Sequence, residues 1–168
     1  MRADRVRPLT GHNDRVRISA KTDYALRAAI ELAALSSHDP VKGEAIANAQ
    51  GIPLRFLENI LGDLRNAGIV ESRRGVEGGY LLAREPAAIT LADVIRAVDG
   101  PLANVAGTRP NLLEYQGSTE KLREIWVAVR AALRSVLEET TLADLADKKL
   151  PKHVEQLVAD RDAWEVRI

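Results

Sequence analysis

Several stretches of this chain carry apolar residues at three- and four-residue intervals, and turn-forming residues separate them. Ser19 is a candidate N-cap, and Leu26, Ala29, Ile30 and Ala33 follow at helical spacing, which predicts a first helix to about Ser36. Asp39-Pro40 interrupts it. A short second helix is expected over Gly43–Gln50, with Ala45, Ile46 and Ala49 as its apolar positions and Gly51 as its stop. Pro53 suits the first turn of a third helix, on which Phe56, Leu57, Ile60, Leu61 and Leu64 share one side until Gly68.

After Gly68 the period shortens. Ile69 to Arg74 reads as a strand, Gly75 to Gly79 as a turn holding three glycines, and Tyr80-Leu81-Leu82 as a second strand, which together predict a hairpin. Thr90-Leu91-Ala92-Asp93 carries the signature of a capped helix start, and Asp99-Gly100-Pro101 that of its end. Residues 101–117 read as a loop. The longest helix is expected from Ser118 to about Glu139, striped by Leu122, Ile125, Trp126, Val129, Leu133, Val136 and Leu137. Thr141-Leu142-Ala143-Asp144 repeats the capping pattern and opens a short helix. Beyond Lys148 the chain reads as a polar tail until Trp164, Val166 and Ile168. The division expected is an arm at 1–17, a first domain at 18–100, the loop at 101–117, two helices at 118–148 and a tail at 149–168.

Composition narrows the chemistry. Hydrophobic residues make up 46% of the 168 positions and aromatics only 4%, so alanine- and leucine-rich helices must supply most of the burial. There is no cysteine, which excludes disulfides, thiolate nucleophiles and Cys-ligated zinc or iron–sulfur clusters. His12, His38 and His153 lie far apart with no ligand pair at helical spacing; all three read as surface loop residues, and no metal site is expected. No apolar run would span a bilayer and no signal-peptide core precedes Ser19, so the expected location is the cytoplasm. The formal net charge is zero, which by itself argues against a nucleic-acid binder. Its distribution argues the other way: residues 1–84 hold 13 Lys+Arg against 10 Asp+Glu, a net of +3, and residues 85–168 hold 11 against 14, a net of −3. Residues 1–17 mix charge with Pro and Gly. They read either as a disordered arm, with Arg2, Arg5 and Arg7 available to a minor groove, or as residues ahead of a true translation start near Val16.

Helix, short helix, turn, helix and Gly-turned hairpin, in that order, describe a winged helix-turn-helix, mainly α with a small two-stranded β wing. If Leu57, Ile60, Leu61 and Leu64 face the core, then Arg55, Glu58, Asn59 and Phe56 face outward near the start of the third helix. Arg suits a guanine edge, Glu a cytosine amine and Asn an adenine. Arg73 and Arg74 flank the glycines of the wing, where the backbone can approach a phosphate closely. Plainer alternatives stand beside these: Arg55 and Glu58 at a spacing of three suit a surface ion pair, and Arg73-Arg74 suit edge-strand protection. The glycine turn lacks the Lys-Ser/Thr of a phosphate loop. No nucleophile–base pair, phosphate loop or metal cluster marks an enzyme.

These residues resemble a known family. Ile18-Ser19-Ala20-Lys21-Thr22-Asp23-Tyr24-Ala25-Leu26, Phe56-Leu57-Glu58 with Leu64 to Val70, Arg73-Arg74-Gly75-Val76-Glu77-Gly78-Gly79-Tyr80-Leu81-Leu82, Ile89-Thr90 through Pro101, and Thr140-Thr141-Leu142 are similar to the Rrf-type transcription regulators, the family of the iron–sulfur cluster regulator and the cysteine-metabolism repressor. The resemblance runs from about residue 17 to the end. It implies a repressor acting on double-stranded DNA with a two-fold symmetric operator, as a homodimer whose long helix crosses its partner. It implies DNA contact through Ser19, Lys21 and Tyr24, through Arg55, Phe56, Glu58 and Asn59, and through Arg74. The stripe of Leu122, Ile125, Trp126, Val129, Leu133 and Val136 fits a dimer interface, with packing on the first helix as the alternative.

One departure matters. Cluster-binding members place three cysteines in the loop after Asp-Gly(-Pro); here residues 101–117 hold no cysteine and no histidine, and Glu114 is the one carboxylate. The expectation is therefore no cofactor and no iron–sulfur cluster, with closest likeness to the cluster-free branch that controls cysteine and sulfur metabolism. That branch takes its signal from cysteine synthase, which accepts C-terminal isoleucines, and this chain ends Trp164-Glu165-Val166-Arg167-Ile168. The tail is thus a candidate for binding that enzyme, or an incidental end. A protein-interaction module that acts through the tail without a DNA role is the alternative function.

Overall fold

The computed structural model describes residues 18–35 and 39–165. Ser19 opens helix α1 (Ala20–Ala34): its side chain accepts a hydrogen bond from the Thr22 amide at 3.0 Å. The helix stops two residues before Ser36, which lies outside the described residues along with His38. Helix α2 (Gly43–Gln50) ends where Gly51 takes a left-handed conformation. Its buried residues are Ile46 and Ala47, while Ala45 and Ala49 are exposed, so the face expected from the sequence is turned. Helix α3 (Leu54–Asn66) buries Leu57, Ile60, Leu61 and Leu64. Pro53 sits just ahead of it as N-cap.

The hairpin is strand β1 (Val70–Arg73) paired antiparallel with β2 (Gly79–Leu82), Val70 opposite Leu82 and Arg73 opposite Gly79. Val41 adds a short third element to this wing, since the Val41 and Tyr80 backbones exchange two hydrogen bonds at 2.8 Å. Gly79 is required at that seam because a Cβ there would run into the Val41 backbone. Helix α4 (Leu91–Asp99) begins with a full capping box between Thr90 and Asp93. Thr141 and Asp144 make a second one at helix α6 (Leu142–Ala146).

The core joins these parts. Ala25, Ala28 and Ala29 of α1 meet the α3 leucines, with Ile46, Ile69, Ile89, Val94 and Leu142 closing the sides. Small residues on α1 let α3 and α4 approach closely. The segments before α4 and α6 lie side by side, Leu142 donating to the Ile89 carbonyl and Leu91 to the Thr140 carbonyl, each at 2.9 Å. Helix α6 is thereby part of the first body, although it follows the long helix in sequence.

The long helix, α5 (Leu122–Leu137), is shorter than expected from the sequence at its start: a 3₁₀ turn at Gly117–Thr119 precedes it. None of its residues is buried. Beyond Lys148, read from the sequence as a polar tail with no helix assigned to it, the chain forms a further helix. Pro151 caps helix α7 (Lys152–Ala159), and a 3₁₀ turn follows at Arg161–Trp164. His153, expected in a surface loop, lies half-buried on α7, its Nε2 2.6 Å from the Ser135 carbonyl of α5 and its Nδ1 3.6 Å from Glu139. Among the described residues no helix is long and apolar enough to cross a membrane. Residues 1–17, with Arg2, Arg5, Arg7 and His12, lie outside the described residues.

Candidate nucleic-acid interface

Burying Leu57, Ile60, Leu61 and Leu64 turns the opposite side of α3 outward, and Arg55, Phe56, Glu58 and Asn59 are all exposed on it. Among the described residues, Arg55, Glu58 and Asn59 make no side-chain hydrogen bond or ion pair. The Arg55–Glu58 surface pair is not formed. Pro53 supplies no side-chain cap, and the first turn of α3 holds no acidic residue. Its free backbone amides therefore leave a positive helix end suited to phosphate.

Phe56 packs edge-on against Tyr24 of α1, with ring centroids 5.7 Å apart. Arg27, which the sequence reading passed over, lies 5.4 Å above the Tyr24 ring and 3.3 Å from Asp23. Tyr24, Phe56 and Arg27 thus make one aromatic and cationic platform beside the start of α3. The tyrosine and arginine are three residues apart on one helix, a spacing that could have signalled it.

Ser19 and Lys21 are placed differently. The Ser19 hydroxyl donates to Asp99 at 2.7 Å, and the Thr22 hydroxyl also bonds Asp99. Lys21 donates to the Val98 carbonyl at 3.0 Å and pairs with Asp63 of α3 at 2.8 Å. These two side chains bind the start of α1 to the end of α4 and to α3. Any contact they make with DNA competes with those bonds.

On the wing, Arg73 pairs loosely with Glu71 at 3.5 Å, while Arg74 makes no side-chain bond among the described residues. Gly75 has φ +107°, and a Cβ on Gly78 would lie 2.8 Å from the Gly75 carbonyl and clash with that of Arg73, so the tip needs both glycines. Val76 projects from it, 82% exposed.

On α5, Trp126, Val129 and Leu133 line a cavity shared with the loop and the end of α4, whereas Ile125 is 56% exposed. Leu122 and Val136 are half-buried. The Trp126 indole nitrogen is buried with no hydrogen-bond partner among the described residues. Glu124, in the first turn of α5, is held below the usual carboxylate range by a backbone hydrogen bond and then by Lys121. Of the tail residues, Trp164 donates its indole N–H to the Val158 carbonyl at 2.7 Å and so folds back on α7; Val166 and Ile168 lie outside the described residues.

Residues 18–148 match the Rrf2 family, described as iron-dependent transcriptional regulators. The chain belongs to the Rrf2 family. It is 51% identical over 150 residues to a candidate HTH-type regulator of Mycobacterium tuberculosis, covering 89% of this chain and 93% of that one. Against the HTH-type transcriptional regulator CymR of Bacillus subtilis it is 40% identical over 131 residues, 78% of this chain and 90% of the other. The solved structure of B. subtilis CymR, titled the global cysteine regulator, superposes with a TM-score of 0.69 at 38% identity, covering 80% and 99% of the two chains. T. potens IscR superposes at 0.65 with 31% identity, covering 91% and 94%. The winged-helix fold is that of these Rrf2 regulators, and the chain is a CymR-like transcriptional regulator rather than an enzyme. The family implies DNA binding. Residues 101–117 hold no cysteine or histidine, and among the described residues no group of three or more His, Cys, Asp or Glu could hold a metal.

Proposed function

We propose that this chain is a homodimeric repressor that reads a two-fold symmetric operator with α3 and the wing, works without an iron–sulfur cluster, and controls genes of cysteine and sulfur metabolism. The observation that carries the reading is the outward side of α3. Arg55, Glu58 and Asn59 stand exposed and unpaired among the described residues at an uncapped helix start, with the Tyr24–Phe56–Arg27 platform on α1 and α3 beside them. Unpaired side chains are available to base edges at no cost in broken internal bonds, and the positive helix end positions a phosphate. Arg73 and Arg74 supply backbone contacts from the wing.

The dimer rests on α5: a 16-residue amphipathic helix with no buried residue has an apolar face that a second copy would cover. The cluster-free state rests on the absence of cysteine. The link to cysteine metabolism rests on likeness to CymR.

Sequencing the DNA fragments that the protein binds in its own genome identifies the operator, and fluorescence anisotropy then measures affinity for it. Arg55→Ala is expected to cost about 1–3 kcal/mol and relax preference at one base position. Arg74→Ala should weaken all sequences alike and flatten the salt dependence. Unchanged affinity and preference in Arg55→Ala would remove α3 from the reading. Protein purified without oxygen should show no visible charge-transfer absorption and no bound iron.

A further inference from the structure

Four arginines face one cavity on the side of the molecule that carries the loop. Arg96 comes from α4, Arg109 from the loop, and Arg130 and Arg134 from α5; Asn104, Asn111, Gly100, Pro101 and Leu102 complete a space of about 640 Å³ open to solvent. That volume lies within the range of small-molecule sites. The carboxylates near it are too few for its cations. Glu138 pairs with Arg96 and lies 3.5 Å from Arg134, and Asp93 lies 3.9 Å from Arg96. Arg130 is held by a neutral group, donating to Asn111 at 2.9 Å, and Arg109 has no side-chain partner among the described residues. Among the described residues, two guanidinium charges are left without a carboxylate.

Such an arrangement is repulsive when empty. Arg130 and Arg134 are four apart on one helix, where like charges destabilise it, and Arg109 brings a third charge across from the loop. An anion with two negative charges would balance the two unpaired guanidiniums, whose forked donors match carboxylate, sulfate and phosphate oxygens. Asn104 and Asn111 add neutral donors.

We propose that this cavity is a binding site for a small dianion bearing carboxylate, sulfate or phosphate groups. If the chain is the DNA-binding regulator proposed above, the site is its effector site, and that role rests on the earlier reading. Gly100 and Arg96 flank Val98 and Asp99, the groups that hold Ser19, Lys21 and Thr22, and Lys21 pairs onward with Asp63 of α3. A ligand that shifts the end of α4 therefore acts on the groups that seat α3.

The test is calorimetric titration of the full chain with sodium sulfate, sodium phosphate or disodium succinate, at ionic strength held constant with chloride. The first two probe an inorganic oxyanion and the third a dicarboxylate. The expected result is saturable binding of at least one dianion, one per chain, at millimolar affinity or better. Arg109→Ala and Arg130→Ala should each weaken it about tenfold or more, the loss typical of a charge-assisted bond, while Arg74→Ala on the wing leaves it unchanged. Arg109 has no side-chain partner among the described residues to lose, so its variant should fold; Arg130→Lys keeps the charge without the fork and should fall between. Two results overturn the proposal: no dianion binding above chloride up to about 10 mM, well beyond a useful effector affinity, or binding that survives both alanine variants. Operator affinity is measured separately. Dianion binding without operator binding would keep the site and remove the DNA reading, and the reverse would do the opposite.

Discussion

The body built from α1 to α4, the wing and α6 differs in kind from the half built from the loop and α5. In the body, Ala25, Ala28, Ile46, Leu57, Leu61, Leu64, Ile89 and Leu142 are wholly screened from solvent, and two capping boxes set helix starts. In the other half no residue of α5 is fully buried, its apolar side is only half-covered, and polar bonds such as Arg130 to Asn111 and Arg96 to Glu138 hold it in place. The body has the packing of a finished domain. The long helix is amphipathic in sequence but half-covered in space, so its stability depends on what it meets next.

Substitutions can break that contrast at known points. The largest effect is expected from Leu61→Ala, which empties a fully screened position; urea unfolding should show a loss of about 2–5 kcal/mol. Ile125→Asp should leave the unfolding of the body nearly unchanged, because Ile125 is already exposed. It should instead weaken self-association by about 2 kcal/mol or more, the scale of a buried interface anchor, in sedimentation velocity. An Ile125→Asp variant that destabilised the body without altering assembly would reverse the roles assigned to the two halves. Gly79→Ala drives a Cβ into the Val41 backbone and should cost about 1–3 kcal/mol, with faster hydrogen exchange in the wing. Thr90→Ala removes one side of a capping box and should cost about 1 kcal/mol, seen as a small fall in thermal midpoint.

What could be read from the sequence follows the same division. Helix α3 and the wing announce themselves because Leu57, Ile60, Leu61 and Leu64 keep a strict period, and glycines occur where the chain must turn. The front of α3 was legible by elimination, since four core positions leave Arg55, Glu58 and Asn59 outside. In α2, alanines at 45, 47 and 49 made the faces alike, and Ala47 rather than Ala45 or Ala49 is buried. The start of α5 was misplaced because residues 117–119 close a 3₁₀ turn instead, with the Thr119 and Glu120 amides donating to the Gln116 and Gly117 carbonyls three residues back. Helix α7 was missed since Val154, Leu157 and Val158 offer only a weak stripe, and Leu157 and Val158 remain exposed. Ser19 was legible as the N-cap of α1, but its bond to Asp99 and the bonds of Lys21 could not be read at all. Their partners Asp99, Val98 and Asp63 lie far away in sequence, and tertiary packing alone brings them together. The four arginines of the loop cavity were hidden for the same reason.

The wing is fastened along β2 and open at its tip: the Val41 backbone pairs with that of Tyr80 near the turn-side end of the strand, while Val76 in the turn is 82% exposed. Evolution can therefore treat these two places differently. Changes at Gly79 disturb the body and should be selected against. Residues 74–77 can lengthen, shorten or change charge with little loss of stability, provided the turn keeps glycines where its backbone demands them. On the reading proposed above, the hairpin end is where a duplicated copy would change how tightly it holds the nucleic-acid backbone while keeping the same core and the same α3.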